Sequence, residues 1–181
     1  TVNAVNDPPA FTVPDDVTLS EDSDPHTIDI TDVSAGGGTP ENGQTVLLTV
    51  SDYDTSLIAD IAVSGSGAEW ALSFTPVTYA NGSTSVTVTA DDQQTENNLT
   101  TDTFTIEITP VNNKPVYDSV LPQTADEDAG PTEITVTGVG PGGGADEDLQ
   151  DVTFTATTDN DGIVPDLAVS GEGDTRILTY T

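Results

Sequence analysis

The chain has 181 residues, with 32 acidic side chains against two cations, Lys114 and Arg176, and a formal net charge of -30. A surface of that sign repels nucleic acid and anionic lipid, which excludes both as partners. There is no cysteine for disulfide or thiol chemistry, and the apolar runs are too short for a membrane-spanning helix or a secretion leader.

The residues in use are Thr, Val, Ile, Ser, Asp and Gly, a composition of β-strands. In chain order, strand A is expected at Phe11–Leu19, and B at Thr27–Val33 with Ile28 and Ile30 inward. Strand C follows at Thr45–Ser51 with Val46, Leu48 and Val50 inward. D is placed at Asp60–Ser64, and E at Trp70–Thr75 with Leu72 and Phe74 inward. F covers Ser83–Ala90 with Val86 and Val88 inward, and G covers Thr101–Thr109 with Phe104, Ile106 and Ile108 inward. Each set alternates with period two, so one face packs and the other meets water. Trp70 is read as a packing residue at a partly exposed edge.

Sliding the sequence so that Val5 falls on Val111 aligns residues 1–75 with 107–181 without a gap. Val5-Asn6 meets Val111-Asn112, Glu21-Asp22 meets Glu127-Asp128, and Gly36-Gly37-Gly38 meets Gly142-Gly143-Gly144. Asp60 and Ala62-Val63-Ser64-Gly65 meet Asp166 and Ala168-Val169-Ser170-Gly171. The repeat length is that of a seven-stranded sandwich of ~100 residues. The expected division is therefore a tail of a preceding module over 1–6, a first sandwich over 7–112, and a second over 113–181. The second is expected to hold strands A to E only, either as a window of a longer array or completed by strands of another chain.

Val5-Asn6-Asp7-Pro8-Pro9 and Thr109-Pro110-Val111-Asn112-Asn113-Lys114-Pro115 resemble the inter-module linkers of cadherin-like and bacterial Ig-like tandem repeats. The acidic pairs Glu21-Asp22 and Glu127-Asp128 fit that pattern, as does Ala90-Asp91-Asp92 at the F–G corner. The resemblance implies an all-β chain of tandem Greek-key sandwiches, an extracellular or cell-surface location, and calcium between consecutive modules. Two features depart from the family. Thr78-Tyr79-Ala80-Asn81-Gly82 stands where cadherins carry an acidic triplet, and Asn113 replaces the Asp7 of the first linker.

Alternating strand direction indicates which groups could meet. One end of the first sandwich gathers Glu21, Asp22, Asp52 and Asp54 with the exit at Asn112 and Asn113. The second module presents its B–C corner, with Asp146, Glu147 and Asp148, to the same linker. Calcium takes about six to eight oxygens from carboxylates, amides and backbone, and this set supplies them. A partial site is expected at the first linker, where Asn6 and Asp7 lie beside Asp91, Asp92 and Glu41. Asp159-Asn160-Asp161-Gly162 resembles a calcium-loop fragment, but Thr157 and Ala168 stand where that loop needs acids, so it reads as a turn.

Catalysis has little footing. His26 is the sole histidine and aligns with Thr132, and neither a nucleophile elbow nor a phosphate loop occurs. Asn81-Gly82-Ser83 and Asn98-Leu99-Thr100 are glycosylation sequons. The expected function is a structural or adhesive, non-enzymatic array with calcium as its ion. Its partners would be neighbouring modules, identical chains in a fibre, or a surface glycan or protein target. The alternatives are a filament subunit completed by strand exchange and a carbohydrate-binding appendage of a secreted enzyme.

Overall fold

The computed structural model describes residues 3–181, and among them every regular element is a β-strand. The chain divides into a first unit ending at Val111 and a second unit, Asn112–Thr181. Asn3 to Asn6, expected as the end of a G strand, form no strand; Thr1 and Val2 lie outside the described residues.

In the first unit, β1 (Ala10–Thr12), β3 (His26–Ser34), β6 (Glu69–Pro76) and β5 (Ile58–Ser66) form one four-stranded sheet in the order β1-β3-β6-β5. The other sheet has the order β2-β8-β7-β4, from β2 (Val17–Ser20), β8 (Leu99–Thr109), β7 (Gly82–Asp91) and β4 (Leu47–Ser51). This is the two-sheet arrangement of an Ig-like sandwich. The inner faces meet where the alternation predicts. Ile30, Leu48, Leu72, Phe74, Val86, Val88, Phe104, Ile106 and Ile108 are all buried, with Ile28, Val46, Val50 and Trp70 packed against them.

The single expected strand A is two strands. β1 runs antiparallel to β3 in one sheet, and β2 runs parallel to β8 in the other. Pro14 lies between them. Its missing N–H and fixed φ end the first ladder, and the chain changes sheets before resuming pairing. Trp70 is also placed differently. It lies on β6, an inner strand, beside the β5–β6 hairpin turn, where its indole N–H donates to the Gly67 carbonyl at 3.2 Å.

The second unit contains β9 (Thr132–Val136), β10 (Ala168–Ser170) and β11 (Arg176–Tyr180), in the order β10-β11-β9. These are the repeat counterparts of β3, β5 and β6. The expected strands A and C do not form there: A is reduced to one bridge, Val116 to Gly140, and 152–158 carry no ladder. The reason is pairing. In the first unit β4 bonds only to β7 and β2 only to β8, and the second unit holds only the counterparts of β3, β5 and β6. Alternation alone cannot hold a strand without a neighbour's N–H and C=O groups.

The repeat persists in the backbone. Asp22 and Asp128 both adopt left-handed φ, 58° and 60°, and so do Asp60 and Asp166, at 52° and 54°. Aspartate is among the few non-glycine residues that tolerate that region. Arg176 occupies the place of Trp70 and donates to the Gly173 carbonyl at 2.8 Å, as Trp70 does to Gly67.

Candidate functional site

At the start of the first unit, the linker residues Asn6 and Asp7 are held by the β3–β4 connection and the end of β7. The Asp7 amide donates to Glu41 Oε1 at 2.7 Å. Asn6 Nδ2 donates to Asp92 Oδ2 at 2.8 Å, and Asn6 Oδ1 accepts from Gln44 Nε2 at 2.9 Å. Asn97 Nδ2 returns a bond to the Asn6 carbonyl at 3.0 Å. The structure thus brings together Asn6, Asp7 and Asp92 of the expected partial site, with Glu41. Asp91 is turned to its own corner, where Oδ1 accepts from the Gln93 amide and Asn98 Nδ2.

Glycines let this corner close. A Cβ on Gly36, whose φ is +112°, would lie 2.7 Å from the Pro8 carbonyl oxygen, and one on Gly37 would lie 2.7 Å from Asp7 Oδ2. The Gly-Gly-Gly run is therefore a seat for the linker, since only a residue without a side chain admits backbone that close.

Glu41 is 4% exposed and Asp92 1%. Asp92 is satisfied by Asn6 and by the Gln94 amide at 3.0 Å. Glu41 is not: its Oε2 is buried without a hydrogen-bond partner, and so is Gln44 Oε1. A buried acceptor with no donor costs about 1–3 kcal/mol, more when charged, so each such group points to a missing partner.

The second unit repeats the arrangement. The Asn113 amide donates to Glu147 Oε1, and Gln150 Nε2 donates to Asn112 Oδ1 at 3.1 Å. Glu147 is fully buried, its Oε2 again lacks a partner, and a Cβ on Gly142 would strike that oxygen. Of the three acids at this corner, the flanking Asp146 and Asp148 are exposed. Sequence reasoning grouped all three at this corner and did not single out Glu147 as the buried one. The available signal was the repeat: Glu41 and Gln44 recur as Glu147 and Gln150 while their neighbours change.

At the far end of the first unit, Glu21 is 2% exposed and uses both oxygens. Oε1 accepts from the Val111 amide at 2.8 Å and Oε2 from Asn81 Nδ2 at 3.1 Å. Asp22 Oδ1 accepts from the Tyr79 amide at 2.9 Å. These two acids grip the β6–β7 turn, the segment that stands in place of the cadherin triplet. Asp52 Oδ2 accepts from Ser51 Oγ at 2.9 Å. Asp54 Oδ1 accepts from the Ser56 hydroxyl at 2.7 Å and its amide at 2.8 Å, and these bonds, the hydroxyl first, hold its carboxyl below the usual range. Asp52 and Asp54 thus serve their own turn. Asn160 caps its own turn in the same way, accepting from the Gly162 amide at 3.1 Å.

Among the described residues no three acidic or histidine side chains converge closely enough to hold a metal by themselves. Any ion at these corners would have to draw on amide and backbone oxygens as well. The two sequon asparagines both use their side-chain amides inside the fold, Asn81 on Glu21 and Asn98 on Asp91.

No protein-family model and no curated protein matches the chain. Among solved structures the chain is similar to domains 4 and 5 of the S-layer protein SbsC, at 20% identity and a TM-score of 0.40. That match covers 59% of this chain and 54% of that one. A structure of SbsC domains 1–6 is similar at 15% identity and a TM-score of 0.40, over 96% of this chain and 22% of that one. Titin domains Z1Z2 in complex with telethonin are similar at 17% identity and a TM-score of 0.43, over 97% and 82%. The chain therefore spans about half or less of the SbsC structures it resembles.

Proposed function

We propose that this chain is a non-enzymatic stretch of an extracellular tandem array of Ig-like modules, whose junctions are stiffened by calcium. The observation that carries the reading is the pair Glu41 and Glu147. Each is a buried carboxylate at the same place in its repeat, each spends one oxygen on a linker amide, and each leaves the other without a partner. A hard divalent cation is what such an oxygen lacks, and Asn6, Asp7, Gln44 and Asp92 supply further oxygens at the first corner. Asn112, Asn113, Asp146 and Asp148 do so at the second. The charge of -30 also favours uptake of divalent cations, which offset self-repulsion.

The test is a calcium titration of the whole chain by calorimetry, paired with thermal melts in calcium, in magnesium and in sodium chloride of matched ionic strength. Saturable calcium binding with a calcium-specific rise in melting temperature is expected. Equal stabilisation by all three salts would show that the acids act only as a screened surface, and would retire the junction reading.

A further inference from the structure

The sequence holds two Asn-Gly steps, Asn42-Gly43 and Asn81-Gly82, and the fold treats them in opposite ways. Asn81 is half-buried, its amide is bound to Glu21, and Gly82 is already paired with Ile108 in the β7–β8 ladder. Asn42 and Gly43 are exposed at the centre of a tight turn closed by the Gln44 amide on the Glu41 carbonyl at 2.9 Å. No hydrogen bond to the Asn42 side chain forms among the described residues, and a Cβ built on Gly43 meets nothing within 4 Å. Asn42 also borders an open cavity of about 460 Å³ that Glu41, Gln44 and Trp70 share.

We infer that Asn42 is a self-modification site that adds a carboxylate to the first linker corner as the protein ages. The Gly43 amide nitrogen attacks the Asn42 side-chain carbonyl carbon. A C–N bond closes a five-membered imide, and ammonia departs with the proton that nitrogen gave up. Water then opens the imide at either carbonyl, leaving aspartate or isoaspartate, so the net change consumes one water and releases one ammonia. Glycine permits the attack because it places no side chain beside the nucleophile. The aspartate product reproduces the second repeat, where Asp148 stands at this position beside Glu147. It puts a new negative charge next to the residue whose Oε2 is unpartnered. The consequence for calcium rests on the junction reading above; the chemistry does not.

The experiment incubates the full chain in warm, mildly alkaline buffer and maps its peptides by mass and isoaspartate content over time. Conversion of amide to acid at Asn42, with Asn81 retained and with Gly43→Ala blocking the change, is the expected result. No conversion at Asn42, or conversion of Asn81 at the same rate, would overturn the assignment. Calcium titration of Asn42→Asp against the unmodified chain then reads the consequence. Binding roughly threefold tighter is expected, since added ligand charge raises calcium affinity. Equal affinities would overturn the link to the ion. If neither protein bound calcium, the link and the junction reading would both fall, while a mapped conversion at Asn42 would stand.

Discussion

Replacing Glu41 with glutamine separates the two roles of this buried side chain. The variant keeps the shape and keeps a carbonyl oxygen for the Asp7 amide, now 2.7 Å from Glu41 Oε1. It removes the negative charge and puts a donor where Oε2 has no partner. In chelator, relief of an orphaned buried acceptor is worth about 1–3 kcal/mol. At about 4–8 °C per kcal/mol for a domain of this size, Glu41→Gln should raise the melting temperature of the first unit by about 4–24 °C. In calcium the order should reverse. An ion at about 100 times its dissociation constant stabilises the unmodified protein by about 2.7 kcal/mol, and a glutamine that has lost the ligand charge forfeits much of that. Trp70 is the only tryptophan and lies in the first unit, so its fluorescence reports this transition without interference from the second. A variant less stable in both conditions would mean that Oε2 is satisfied in solution and that no ion is missing. A variant more stable in both would leave the orphaned oxygen standing and remove calcium from it.

Further outcomes follow from other contacts. Leu72→Ala, at a fully buried position, should cost the first unit about 2–5 kcal/mol in denaturant melts followed at Trp70. Gly36→Ala should destabilise the same unit, because its Cβ would meet the Pro8 carbonyl at 2.7 Å, and amide exchange at Asp7 should accelerate with it. Gly138→Asp should loosen β9, because the new side chain would face Asp118, whose carboxylate lies 2.8–2.9 Å from where the Cβ would stand. Adding Asp118→Thr should restore most of the lost hydrogen-exchange protection. For Asp54, whose carboxyl is held below its ordinary value of 3.8, the bonds from Ser56 are present above that pH and vanish as pH falls through the lower folded value. A proton titration by NMR should place Asp54 lower than in a Ser56→Ala variant, where the hydroxyl's contribution is gone.

Strands B to G of the first unit were legible because each carries a half-buried face with strict period two, and Ile106 and Val88 sit where that period puts them. The divided first strand was harder to see. Pro14 signalled the break, but that β2 joins the opposite sheet depends on a pairing with β8 some ninety residues on, which local pattern does not encode. Val152, Phe154 and Ala156 alternate as well as β4 does, yet no ladder forms on them, since alternation describes a face and says nothing of a neighbour. At the linker, strand direction sufficed to group Asn6, Asp7 and Asp92, because corners at one end of a sandwich meet whatever their details. It did not distinguish Glu147 from its exposed neighbours, as burial of one acid in three is decided by tertiary packing. A subtler exchange was invisible. In the first unit the carboxylate that accepts from Thr31 is Asp32, with Thr12 opposite at 3.3 Å. In the second, Gly138 replaces that aspartate and Asp118 supplies the carboxylate to Thr137 from across the strands at 2.6 Å.

The parallel pairing of β2 with β8 has a mechanical meaning. The chain enters β2 at Val17 and leaves β8 at Thr109, at opposite ends of the same ladder, Val17 to Ile106 through Ser20 to Thr109. Tension applied along the chain therefore drags the two strands in opposite directions along their common axis. Their hydrogen bonds are loaded together, in shear, whereas a hairpin pulled at its open end parts one rung at a time. The Glu21 amide on the Thr109 carbonyl at 2.9 Å, and the Glu21 carboxylate on the Val111 amide, extend that ladder into the linker. The place where pulling force leaves the first unit is thus also where it is most firmly riveted.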